Sequence, residues 1–222
     1  MRFLQQTLEG KALEKQLLDL FDDKIDLIHS QHGELELLAN FKTNSEKKLP
    51  DISKYLHEFL PEDISVISLR DVSDRFHSRL NAISKTYVYT IDNNRFANVF
   101  IKKYAYHVEG QLNIEKMKEA SKYFIGTHDF KGFSAVKDKS KKSTVRTINY
   151  INITEKDNII KIEYNGNGFL INMVRILSGT LINVGKGQIE PEDIKKMLQS
   201  KQRSELAVKA PAKGLCMKEV NY

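Results

Sequence analysis

Arg175 stands in an apolar run, with Phe169, Leu170, Met173, Val174, Ile176 and Leu177 around it. A guanidinium in that company either snorkels to water or pairs with an anion. The run follows a polar stretch, Glu163-Tyr164-Asn165-Gly166, and a turn marked by Gly168, and it continues through Gly179-Thr180-Leu181 to Gly187. Tyr87 is a second candidate, placed between Lys85 and Tyr89 in a β-branched and aromatic stretch. On its own the ring reads as a cross-strand aromatic as readily as a functional one. His77 and Arg79, read alone, are ordinary polar residues at a strand end. The lysine-rich patch at 137–142 is either a solvated loop or a contact for a phosphate backbone.

Two histidine patterns are set aside. His29 and His32 have the spacing of a metal pair, but no third ligand motif accompanies them. His107-Val108-Glu109 resembles half of a zinc deaminase site, and a lone Cys216 cannot supply the other half. One cysteine also excludes an intrachain disulfide and fits a reducing compartment. The formal charge of +6 favours an anionic partner, nucleic acid first and a membrane surface a distant second. Hydrophobic residues at 41% and charged residues at 29% are ordinary globular usage. With no signal-like N-terminus and no apolar run of about 18 residues, the expectation is a soluble cytoplasmic protein.

Elements that would position these residues can be read from apolar spacing. An amphipathic helix is predicted over 7–21 with Thr7 as its cap, then a strand over 35–41, a helix over 52–60 closed by Pro61, and a strand over 64–69. A strand over 86–92 carries Tyr87. A helix follows at 114–124, then a hairpin of 147–154 and 159–164. The long buried helix with Arg175 is predicted over 169–184, a short helix over 191–198 opens with Pro191, and a strand closes the chain at 215–220. This mixture is of the α+β class.

Seven short segments, in order, resemble the tRNA pseudouridine synthase A family. They are Leu60-Pro61-Glu62-Asp63-Ile64, Arg75-Phe76-His77-Ser78-Arg79, Lys85-Thr86-Tyr87-Val88-Tyr89, Gly126-Thr127-His128-Asp129-Phe130 with Phe133, Arg146 with Ile148, the segment around Arg175, and Ala210-Pro211-Ala212-Lys213-Gly214-Leu215. The resemblance implies conversion of uridine to pseudouridine in the anticodon stem-loop of tRNA, with no metal and no organic cofactor. It implies two ferredoxin-like (RRM-like) α+β domains, a shortened one over 1–80 and one over 81–222 carrying the Arg175 helix. These would form one extended, mostly antiparallel sheet with a central RNA-binding cleft, in a homodimer. An aspartate in that family acts as nucleophile or base, an arginine pairs with it, and a tyrosine stacks on the extruded base. By resemblance Arg175 is that arginine and Tyr87 that tyrosine, while His77, Arg79, Lys85 and Arg146 meet the RNA.

The family's aspartate lies in a Gly-Arg-Thr-Asp-x-Gly-Val-His motif ahead of a strand like Ala39-Asn40-Phe41-Lys42-Thr43. Here the stretch between Ile28 and that strand is too short for the motif and contains no aspartate. The chain also starts almost at its first helix, so the family's first strand is expected to be missing, leaving an unpaired sheet edge. Asp26, Glu34 and Glu36 are the carboxylates near enough in sequence to substitute. Displacement by about 1 Å can already cost a hundredfold in rate. Turnover is therefore expected to be poor or absent, the alternative to an enzyme being an inactive tRNA-binding relative or chaperone.

Overall fold

A computed structural model describes residues 2–6, 37–41, 46–60, 65–78, 80–136 and 143–222. The chain divides into two units, Met1–Ile83 with Val220–Tyr222, and Ser84–Glu219.

In the first unit, Arg2–Gln6 (β1), Leu37–Phe41 (β2) and Val66–Asp71 (β3) form an antiparallel sheet ordered β2-β1-β3. The expected loss of the first strand is thus corrected. β1 is present and central, with Leu4 opposite Ala39 on one side and Leu69 on the other. Both its edges are paired, so the unpaired edge that its loss would expose is not there. Five residues running straight into the helical pattern at Thr7, with no turn residue between, hide it in the sequence. The predicted helix at 7–21 lies outside the described residues.

Leu49–Phe59 (α1) begins a turn earlier than its apolar spacing suggests. Pro50 sits in the first turn, where an absent N–H loses no hydrogen bond, and Ile52 and Leu56 are buried. The same unit takes in the chain's last residues. The Tyr222 ring lies 4.9 Å from Phe76, and its hydroxyl donates to the Ser78 carbonyl at 2.7 Å. Burial pushes that phenol up to about 12.

The second unit is built on Ser84–Asp92 (β4), whose Tyr89 and Ile91 are fully buried. Tyr106–His107 (β5), Gly126–Asp129 (β6), Val145–Lys156 (β7) and Ile159–Gly166 (β8) complete the order β5-β4-β8-β7-β6. Leu215–Asn221 (β9) also pairs with β4. β5 lies parallel to β4, while β4-β8, β8-β7 and β7-β6 are antiparallel, so the sheet is mixed. The predicted hairpin is β7-β8, with Ile153 opposite Ile162 and Ile151 opposite Tyr164. A register shift between Ile148 and Tyr150 leaves Asn149 as a bulge, and its amide donates to Asn165 Oδ1 at 2.7 Å.

Ile114–Lys122 (α2) and Met173–Gly185 (α3) pack together over this sheet. Asn113 caps α2 by accepting from the Lys116 amide. Met117, Phe124, Ile176, Leu177 and Leu181 meet Tyr89, Ile162 and Tyr164 in one core. Full burial of each such aliphatic side chain contributes about 1.5–3 kcal/mol. Asp193–Ser200 (α4) starts two residues later than predicted. The class is α+β, as the sequence suggests.

Candidate functional site

The helix carrying Arg175 does not begin at 169. Residues 167–172 form a turn, and Asn172 takes φ of 59°, a left-handed conformation that Asn tolerates better than most residues. That turn puts Arg175 in the first turn of α3, half-buried. Its Nε donates to the Ala210 carbonyl at 2.8 Å and Nη1 to Asn172 Oδ1 at 3.2 Å. In return the Ala210 amide donates to the Arg175 carbonyl at 3.0 Å. Helix and segment touch through bare backbone, since a methyl on Gly179 would lie 1.9 Å from the Val208 carbonyl oxygen. Among the described residues no carboxylate forms an ion pair with Arg175.

Tyr87 is half-buried on β4, opposite Tyr164 of β8. It shares a face with Tyr89 by strand alternation. Tyr89 donates to the Pro211 carbonyl at 2.7 Å, and burial pushes its phenol up while the nearby Arg175 charge opposes the shift. Arg175 and Tyr87 are thereby brought to the same side of the sheet. The Tyr87 ring meets Phe169 edge-on, with centroids 5.2 Å apart. Arg146 on β7 uses Nη1 to donate to the Ser143 and Val145 carbonyls, and a methyl on Gly168 would lie 3.8 Å from its Nε. One six-residue turn therefore touches two of the predicted side chains, Tyr87 at Phe169 and Arg175 at Asn172, and Gly168 leaves open the space beside Arg146. Lys85 stands opposite Gly166, where that turn begins.

The remaining expectations are distributed elsewhere. His77 lies in the first unit, with Nδ1 accepting from the Leu80 amide at 3.2 Å and its own amide donating to Asn81. Arg79, the patch at 137–142, His29, His32, Asp26, Glu34 and Glu36 lie outside the described residues. Sequence reading gives no role to Asn172 or to the Ala210 carbonyl, which aim Arg175. Only asparagine's tolerance of left-handed backbone points toward the former.

Carboxylates of the second unit held below their ordinary range each have structural duties. Burial would raise Asp92, but amide donors from Asn98 and Asn94, with His107 beside it, outweigh that. Asp129 is lowered chiefly by the Thr144 hydroxyl, with Lys131 and Lys201 adding to it. Burial would raise Glu163, and Lys218 and Tyr150 outweigh it. Among the described residues no cluster of His, Cys, Asp and Glu is arranged to hold a metal ion, and no helix is long and apolar enough to cross a membrane.

Charge is unevenly divided. Residues 84–219 hold 24 Lys and Arg against 14 Asp and Glu, a net +10, while the other 86 residues hold 11 against 15, a net −4. The unit with Arg175 and Tyr87 is the one suited to a polyanion.

Comparison with known proteins shows the family. A family model described as tRNA pseudouridine synthase matches residues 120–222, which include Arg146 and Arg175. The chain is 56% identical over 185 residues to tRNA pseudouridine synthase A 1 of Clostridium tetani, covering 83% of this chain and 75% of that protein. It is 44% identical over 216 residues to tRNA pseudouridine synthase A 2 of the same organism, covering 95% and 87%. With tRNA pseudouridine synthase A 2 of Bacillus anthracis it shares 38% identity over 221 residues, covering 97% and 89%. Matches of this identity along nearly the whole chain place the chain in the tRNA pseudouridine synthase A family.

Proposed function

We propose that this protein docks the anticodon stem-loop of tRNA and holds an extruded uridine between Arg175 and Tyr87, with isomerisation to pseudouridine slow or absent. The turn at 167–172, which holds Arg175 through Asn172 and Tyr87 through Phe169, carries this reading. A base face stacked on Tyr87 is worth about 1–3 kcal/mol, whichever pyrimidine it is. Arg146 and Lys85 meet phosphates, and His77 and Arg79 extend the contact. In this reading the chain has two ferredoxin-like domains, 1–80 and 81–222, and an RNA-binding cleft, and the protein works as a cytoplasmic homodimer without metal or organic cofactor.

Slow turnover rests on the sequence between Ile28 and Ala39, which has no aspartate to break the glycosidic bond. Taken to zero turnover, the same protein is a binding module that helps tRNA fold. Purified protein incubated with unmodified tRNA tests both halves, with pseudouridine mapped by carbodiimide-dependent primer extension and affinity measured by filter binding. The expected result is specific binding, weakened about 5- to 100-fold by Tyr87→Ala, with modification near background. Robust modification abolished by Asp26→Ala or Glu34→Ala would overturn the slow-turnover half. Binding no tighter than to unrelated RNA would overturn the docking half.

A further inference from the structure

The loop at 93–105, between β4 and β5, contains no acidic residue and carries Arg95, Lys102 and Lys103. Its rings face solvent: Phe96 is 77% exposed, Phe100 89% and Tyr104 57%. The Arg95 guanidinium lies over the Phe96 ring, 5.3 Å from its centroid. The loop is nonetheless firmly built at its base. Asp92, 2% exposed, accepts from the Asn98 amide at 2.7 Å and the Asn94 amide at 3.2 Å. Asn93 donates to the Val108 and Gly110 carbonyls, and Asn158 donates to Asn94. Large rings held outward by an ordered base form an apolar patch that a free surface does not need.

We propose that this loop is a second RNA contact, in which Phe96 and Phe100 stack on unpaired bases while Arg95, Lys102 and Lys103 meet the flanking phosphates. It rests on the tRNA-docking reading above and extends it to a separate place on the same unit. Tyr87 and Asp92 are five residues apart on β4, so the loop starts about 17 Å along the strand from the uridine site. Rings interleaved with cations and free of carboxylates match single-stranded nucleic acid, where bases supply flat faces and phosphates the opposite charge. A second copy fits less well, because a two-fold contact would set the same cations against each other. The net +10 of the unit points to the same polyanion.

The test compares two variants of the full chain, Phe96→Ala/Phe100→Ala and Arg95→Gln/Lys102→Gln/Lys103→Gln, by tRNA filter binding across a salt series. The ring variant, which loses two stacking faces, is expected to weaken binding about 30-fold or more. The charge variant is expected to flatten the slope of log Kd against log salt by about 2. Adding Tyr87→Ala to either variant weakens binding by the same further factor as in the unaltered protein, because the two places are separate. If the unaltered protein binds tRNA and both variants match it, this inference falls and the uridine-site reading stands. If the unaltered protein fails to distinguish tRNA from unrelated RNA, both fall together. Loss of dimer in light scattering, or loss of binding to anionic phospholipid vesicles, with tRNA affinity unchanged would assign the loop to another partner and overturn the proposal.

Discussion

Asp92 shows how a single carboxylate organises a surface it barely reaches. Its burial opposes ionisation, yet backbone and side-chain donors from Asn98 and Asn94, with His107 at 3.5 Å, leave its carboxyl below the ordinary range. A folded-state value below the unfolded one near 3.9 gives stability that is fully present above about pH 4. That stability is lost as pH falls through the lowered folded value. Urea denaturation of Asp92→Asn is accordingly expected to show a loss of about 1–3 kcal/mol at pH 7 and a flatter acid limb below pH 4. An acid limb as steep as that of the unaltered protein would show that the carboxylate does not stabilise the fold. Arg175 is legible in the sequence as a buried cation in need of a partner. The partner itself is not, because a neutral carbonyl 35 residues away leaves no pattern of charge or spacing.

The contact between α3 and the segment at 207–211 is made by backbone atoms rather than by interlocking side chains. Ala210 receives the Arg175 Nε, Pro211 receives the Tyr89 hydroxyl, and Gly179 leaves room for the Val208 carbonyl. A methyl at 179 has no flexible neighbour to displace, so Gly179→Ala is expected to destabilise by about 1–3 kcal/mol in thermal or urea unfolding. It should also weaken tRNA binding by shifting Ala210 away from Arg175. Unchanged stability and affinity would mean that the segment moves without consequence. Elements with long alternation or clear helical spacing, such as β7, β8 and α2, are readable close to their true limits. β1, β5 and β6 escape a reading by pattern, since two to five residues are too few to establish a period. The predicted start of α3 falls four residues early, because Phe169-Leu170-Ile171 continues the apolar pattern while the backbone at Asn172 departs from the helix.

Across the whole chain, one overall charge of +6 conceals a basic unit and an acidic one. Composition alone points to an anionic partner, but the split emerges only when the unit boundary is known. Affinity for tRNA is expected to fall steeply with salt, with log Kd rising against log salt at a slope of about 3 or more. Lys48→Gln/Lys54→Gln at α1 of the acidic unit should leave that slope unchanged, and a reduced slope would extend the RNA contact of that unit from His77 and Arg79 to α1. A molecule so divided behaves in the field of a nucleic acid as a compass needle does near a magnet. It turns once within about a Debye length, before contact, and more of its collisions begin with the Arg175 unit leading. Raising the ionic strength then slows capture more than it hastens escape, a kinetic signature that equilibrium affinity alone would not reveal.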